Sequence, residues 1–159
     1  MSQEIQHVQL PPQHYIGLRR SVPVTELQPF FAEALPRTFG WLAAQGIAPL
    51  SAPVAVWRAM DMETGIADVH AGAFVAEPPP QALLSEAGLS AGSTEAAEGL
   101  KLVHTGPYSK MGASWQRVFK HAASLGRAPG AGWEVYLDDP TETEESALRT
   151  EIYLPLSPK

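Results

Sequence analysis

Glu134 lies in the run Trp133-Glu134-Val135-Tyr136, which is β-branched and aromatic enough to read as a strand. Side chains alternate along a strand, so Glu134 and Tyr136 share one face while Trp133, Val135 and Leu137 share the other. Large amphipathic aromatics around one carboxylate make poor core and good pocket lining. Desolvation disfavours the charged form of such a carboxylate, and a bound cation restores it. Each desolvated cation–π contact adds about 0.5–2 kcal/mol. Aligning the two hairpins of the chain sets Val56-Trp57 against Val135-Tyr136, which adds Trp57 to the same face. The residues alone leave a second reading open, in which Tyr hydroxyls hold Glu134 simply to order the sheet.

Other chemistries find less support. His7, His14, His70, His104 and His121 are scattered without metal-ligand spacing, so no metal site is expected. His104 ends a strand before a Gly-Pro turn, where it either lines a cleft or serves as a hydrogen-bonded structural histidine. His70 shares a strand face with Asp68, as a cleft-edge or a surface pair. Gly88-Leu89-Ser90-Ala91-Gly92 matches the nucleophile-elbow pattern, but that motif needs a buried strand before it and a helix after it. Here it falls in a Gly/Ser/Ala/Pro-rich stretch, and no serine-hydrolase assignment follows. No dinucleotide or P-loop glycine pattern occurs, and no cofactor is expected.

The elements that must position these residues come in two similar sets. Phe31, Leu35, Phe39 and Leu42 are echoed by Met111, Trp115, Phe119 and Ala122 at an offset of 80 residues, and Gly46 is echoed by Gly126. Residues 4–10 and His14 to Arg20 read as strands, with a turn from Ser21 to Thr25. A helix is expected from Glu26 to Gln45, kinked or broken at Pro36 and stopped at Gly46. Val54 to Trp57 and Ile66 to Val75 form a hairpin about Asp61–Gly65. Residues 77–99 read as a linker, with a short helix near Gln81–Ala87. Then come a strand at Leu100–Thr105 and a helix capped by Ser109 that runs to about Leu125. Strands at 132–137 and 148–156 close the chain, about a turn from Asp138 to Glu145. The fold expected is therefore α+β: a duplicated β-α-β-β module about a pseudo-two-fold, with an antiparallel or mixed sheet and two helices on one face. The first repeat spans about residues 4–76 and the second about 100–157, within a single domain over 1–159.

A net charge of -6 disfavours sequence-independent nucleic-acid binding, which depends on Lys and Arg at phosphates. The absence of cysteine excludes disulfides and thiolate metal sites. No apolar run approaches the roughly 20 residues that span a bilayer, and no signal peptide precedes the first strand. A cytoplasmic location is expected, with no membrane partner.

His104-Thr105-Gly106-Pro107-Tyr108, Trp133-Glu134-Val135-Tyr136 and Thr150-Glu151-Ile152-Tyr153-Leu154-Pro155-Leu156 stand in an order that resembles the GyrI-like small-molecule-binding domains. These are relatives of the effector-binding domains of AraC-type and MerR-type regulators. Val54-Ala55-Val56-Trp57 and the strand bearing Asp68 resemble the family's first hairpin, although Arg58-Ala59-Met60-Asp61-Met62 replaces its usual turn. The resemblance implies a ligand cleft between the halves that takes lipophilic aromatic or cationic molecules. Glu134 would stand at its centre, with Tyr136, Trp57, Tyr108 and His104 around it. It also implies a stand-alone member without a helix-turn-helix, acting in sensing, sequestration or resistance to drugs, toxins or stress. Two alternatives come with it. One is a hydrolase of strained, cyclopropanoid-like electrophiles with Glu134 and Tyr136 as catalytic residues; the other is a protein partner, DNA gyrase.

Overall fold

A computed structural model describes residues 4–158. Two compact units emerge from the contacts: one is Pro12–Thr94, and the other joins the residues up to Pro11 to those from Glu95 onward. Both are α+β, and every strand pairing within them is antiparallel.

The contiguous unit holds β2 (Gln13–Pro23), α1 (Leu27–Gln45), β3 (Val54–Asp61), β4 (Ile66–Val75), α2 (Gln81–Glu86) and β5 (Ser90–Thr94). Its strands lie in the order β3-β4-β2-β5. Helix α1 packs on β2 and β4 through Phe30, Ala34, Thr38 and Leu42, a stripe spaced by four that follows one helix face. Of the kink or break expected at Pro36, the break does not occur, and α1 runs through it. Proline removes one donor and crowds the preceding turn, but burial of residues on both sides of Pro36 holds the helix together. Gly46 closes α1 at φ 71, the left-handed backbone that glycine adopts without penalty. The stretch read as a linker holds more order than expected: besides α2, it contributes β5, which pairs with β2 from Gln13 to Gly17. The predicted turn at Ser21 is also later in the structure, since β2 continues to Pro23 and a 3-10 turn follows.

The other unit holds β1 (Gln6–Leu10), β6 (Ala97–Thr105), α3 (Met111–Ser124), β7 (Trp133–Tyr136) and β8 (Arg149–Pro155), with strand order β1-β6-β8-β7. Its core gathers Leu100 and Leu102 of β6, Ile152 and Leu154 of β8, and Met111, Val118 and Ala122 of α3. Ile5, Tyr108 and Trp115 pack against the edge of that core. A 3-10 turn over Tyr108–Lys110 leads into α3, and no side chain caps it, so Ser109 does not take the capping role expected of it. The acidic turn after β7 is tied down locally: Arg149 donates to both carboxylate oxygens of Asp138 at 3.0 Å, and Asp139 accepts from Thr141. No helix among the described residues is long and apolar enough to cross a membrane.

Candidate functional site

Pairing fixes which way Glu134 faces. Residues directly opposite on neighbouring strands share a sheet face, and Glu134 stands opposite Ile152 while Tyr136 stands opposite Thr150. Ile152 belongs to the core that α3 covers. Glu134 and Tyr136 therefore project on the helix side of their sheet, rather than on a bare face turned away from the helices. Trp133, opposite Tyr153, projects on the far side and stacks on that ring at 5.6 Å and 21°.

Glu134 is 5% exposed. The Tyr136 hydroxyl donates to its Oε1 at 2.6 Å, and the Trp115 indole Nε1–H donates to its Oε2 at 2.6 Å. Hydrogen bonds to an ionised acceptor are short and about twice as strong as neutral ones, so these two fix the carboxylate in plane and position. Burial first, and then the nearby Glu134 charge, push the Tyr136 phenol well above its ordinary value. Tyr136 therefore keeps its proton and remains a donor. The Tyr108 ring meets Tyr136 edge-on at 5.7 Å, and burial with the Asp138 and Glu134 charges also raises its phenol. The cluster thus brings together three of the residues expected from sequence, Glu134, Tyr136 and Tyr108.

The sequence marks Trp115 only as part of an apolar helix face, yet it donates directly to the Glu134 carboxylate. The available signal was chemical: a half-buried indole needs a partner for its N–H. Gly132 makes room for it, because a Cβ there would lie 2.7 Å from Trp115 Cη2 and 2.8 Å from the Tyr153 carbonyl oxygen. Phe119, one turn on from Trp115, stacks against it at 5.5 Å.

His104 lies in the same unit but is fully engaged. Its Nδ1 meets Ser114 Oγ at 2.7 Å and its Nε2 meets the Pro107 carbonyl at 3.1 Å. A carbonyl only accepts, so Nε2 carries a proton. Trp57 lies in the contiguous unit, edge-on to Phe31 of α1 at 6.4 Å, and its indole nitrogen is buried with no partner among the described residues.

In the contiguous unit, Asp68 is held by a two-pronged bond from Arg19 at 2.7 and 3.0 Å. His70 sits under Ser90, and the geometry disposes of a serine–histidine pair there. His70 Nε2 faces the carbonyl oxygens of Ser90 at 2.9 Å and Gly17 at 3.2 Å, so it carries a proton and cannot take one from the Ser90 hydroxyl. Ser90 also opens a strand after α2, the reverse of a nucleophile elbow. Among the described residues no three His, Cys, Asp or Glu side chains gather as a metal site.

The model of the GyrI-like small molecule binding domain matches residues 3–157. The chain belongs to the GyrI-like family. No curated protein matches it at a significant level. Among solved structures, the GyrI-like fold is shared with the EcmrR C-terminal domain at a TM-score of 0.75, with 13% identity and all of both chains covered. EcmrR in its DNA complex aligns at 0.78 with 14% identity; 99% of this chain is covered, and it spans 58% of that one. SAV2435, solved bound to tetraphenylphosphonium, aligns at 0.66 with 13% identity over 99% of this chain and 94% of its own. At such identities these likenesses speak for the fold alone.

Proposed function

We propose that this chain captures lipophilic aromatic or cationic small molecules, with Glu134 as the anionic centre of the site, in a sensing or sequestering role that protects against drugs or toxins. The observation that carries the reading is the state of Glu134: buried, and held by an indole and a phenol. Both of these donors favour the charged form of the carboxyl, since hydrogen bonds to a carboxylate stabilise it. A desolvated negative charge beside the faces and edges of Tyr136, Tyr108 and Trp115 favours a cation that carries its own apolar surface. The solved likeness of SAV2435 with tetraphenylphosphonium supports that ligand class. Trp57 is proposed as a further ligand residue, and its buried indole N–H, without a partner among the described residues, supports this. His104 is proposed to act through the Pro107-Tyr108 turn that its Nε2 holds.

We also read the chain as a duplicated β-α-β-β module. The 80-residue echo and the matching strand orders β3-β4-β2 and β7-β8-β6 support this. The test of capture is thermal. A ligand that binds only the native state adds about 2.7 kcal/mol of stability at 100 times its Kd. A panel of lipophilic cations, tetraphenylphosphonium included, should raise the melting temperature. A panel without any shift would end the capture reading.

The Tyr136–Glu134 hydrogen bond also favours a hydrolytic second reading. There Glu134 positions water on a cyclopropane-bearing or epoxide-like substrate, and Tyr136 or Tyr108 supplies a proton. Product that appears with the native chain and not with Glu134→Gln decides for turnover; stoichiometric binding without product decides for capture.

A further inference from the structure

Helix α3 carries Lys and Arg but no acidic residue over its 14 positions, in a chain whose net charge is -6. At about 100° per residue, Arg117, Lys120, His121 and Ser124 lie roughly 140–240° around the helix from Trp115. They form a second face, turned away from the one that holds Glu134. Ile5, just before β1, meets this face, and together these five residues line an open groove of about 290 Å³. His7 of β1 reaches across to α3, where its Nε2 lies 3.2 Å from His121 Nε2 with the rings at 69°. One imidazole donates and the other accepts, so the pair pins the strand to the helix beside the groove.

We propose that this groove is a binding site for a small organic oxyanion, a phosphate monoester or a carboxylate, with its apolar part against Ile5. The Lys120 ammonium supplies a point charge. The Arg117 guanidinium has five N–H donors in a planar fork, so it can grip an oxyanion while keeping another contact. The Ser124 hydroxyl is spent on the His121 carbonyl at 2.6 Å and shapes the floor of the groove instead of donating to the ligand. Two features set the ligand class. Cations on two adjacent turns disfavour a metal ion at the His7–His121 pair. The lined face, from Arg117 to Ser124, is only about 10 Å long, which suits one or two anionic groups better than a polyanion that draws its affinity from many phosphate contacts.

The experiment is an amide NMR titration of the full chain with phenyl phosphate, benzoate and inorganic phosphate, at ionic strength held constant with sodium chloride. Phenyl phosphate or benzoate should saturate shifts centred on His7, Arg117, Lys120 and His121, more tightly than inorganic phosphate. Saturation by both shows that oxyanion chemistry as such is read, and saturation by phenyl phosphate alone narrows the class to phosphate esters. Lys120→Gln with Arg117→Gln should weaken binding about 10-fold, since each exposed charge contributes only modestly. Both side chains are exposed, so the fold should be unaffected, and Lys120→Gln alone serves as a milder check. Shifts scattered over the surface, or a double variant that binds equally well, would overturn the site. A single-stranded oligonucleotide that binds more tightly than phenyl phosphate would overturn the small-ligand assignment.

Discussion

Replacing Glu134 by Gln separates charge from shape, because the amide nearly matches the carboxylate in size. The native carboxylate accepts on both oxygens, from Tyr136 at Oε1 and from Trp115 at Oε2. An indole can only donate, so the glutamine oxygen must turn toward Trp115 and its NH2 toward Tyr136, whose hydroxyl can reorient to accept. Two charge-assisted bonds become neutral ones, at a cost of about 1 kcal/mol each, while the penalty for burying a charge disappears. These terms oppose each other, and net stability should change by no more than about 1 kcal/mol. Binding of a cation should change far more. A phosphonium centre shielded by its phenyl rings approaches a carboxylate to about 6 Å, where an effective dielectric of 20 gives about 2.8 kcal/mol, roughly 100-fold in Kd. Titration calorimetry with tetraphenylphosphonium and with neutral triphenylphosphine oxide reads this directly. The variant should lose about two orders of magnitude for the cation and little for the neutral compound. Equal losses for both, or no loss for either in a folded variant, would refute the role of the charge.

Other substitutions probe the supports. Trp115→Phe keeps the ring and deletes a donor to a buried carboxylate, so urea denaturation should show a loss of about 1–3 kcal/mol, with weaker cation binding. Gly132→Ala should cost about 1–3 kcal/mol by pressing a methyl group against Trp115, read as a lower melting temperature and altered tryptophan fluorescence. Trp57→Phe should weaken tetraphenylphosphonium binding while leaving the fold intact; unchanged affinity removes Trp57 from the site. Burial holds His70 below its ordinary 6.5, although its bonds to Ser90 and Gly17 oppose this. The unfolded chain therefore takes up that proton first. The His70 contribution is complete above about pH 6.5 and is lost as pH falls from there through the folded value, at no more than about 1.4 kcal/mol per pH unit. His70→Gln should flatten that part of the stability profile, and an unchanged slope would assign it elsewhere.

The strand that carries Glu134 and Tyr136 was legible because alternation and composition agree there, and so was the left-handed stop at Gly46. Alternation told which residues share a face but not which face the helix covers; that is set by the register Glu134↔Ile152, a long-range pairing. Trp115 was hidden for a similar reason. Its helix periodicity is that of a core residue, and its hydrogen bond depends on a strand 19 positions later. The stretch around Ser90–Thr94 looked like a linker because Ser90, Ala91, Gly92 and Ser93 are weak strand formers. Pairing with β2 overrides that propensity, and Gly92 is needed there because a Cβ would fall 2.4 Å from the Tyr15 ring.

Strand β1 is made first and paired late. Its partner residues on β6 begin at Ala97, while Pro12–Thr94 contains all the strands of its own unit. During synthesis the contiguous unit can close as soon as β5 emerges, whereas β1 waits for some 90 residues of chain and remains an open edge meanwhile. A ribosome pause before β6 would thus expose one short strand, Gln6–Leu10, whose polar Gln6, His7 and Gln9 side chains make a poor template for stray pairing. Late docking of β1 also brings His7 to His121, so the groove on α3 becomes complete only after both ends of that unit have been made.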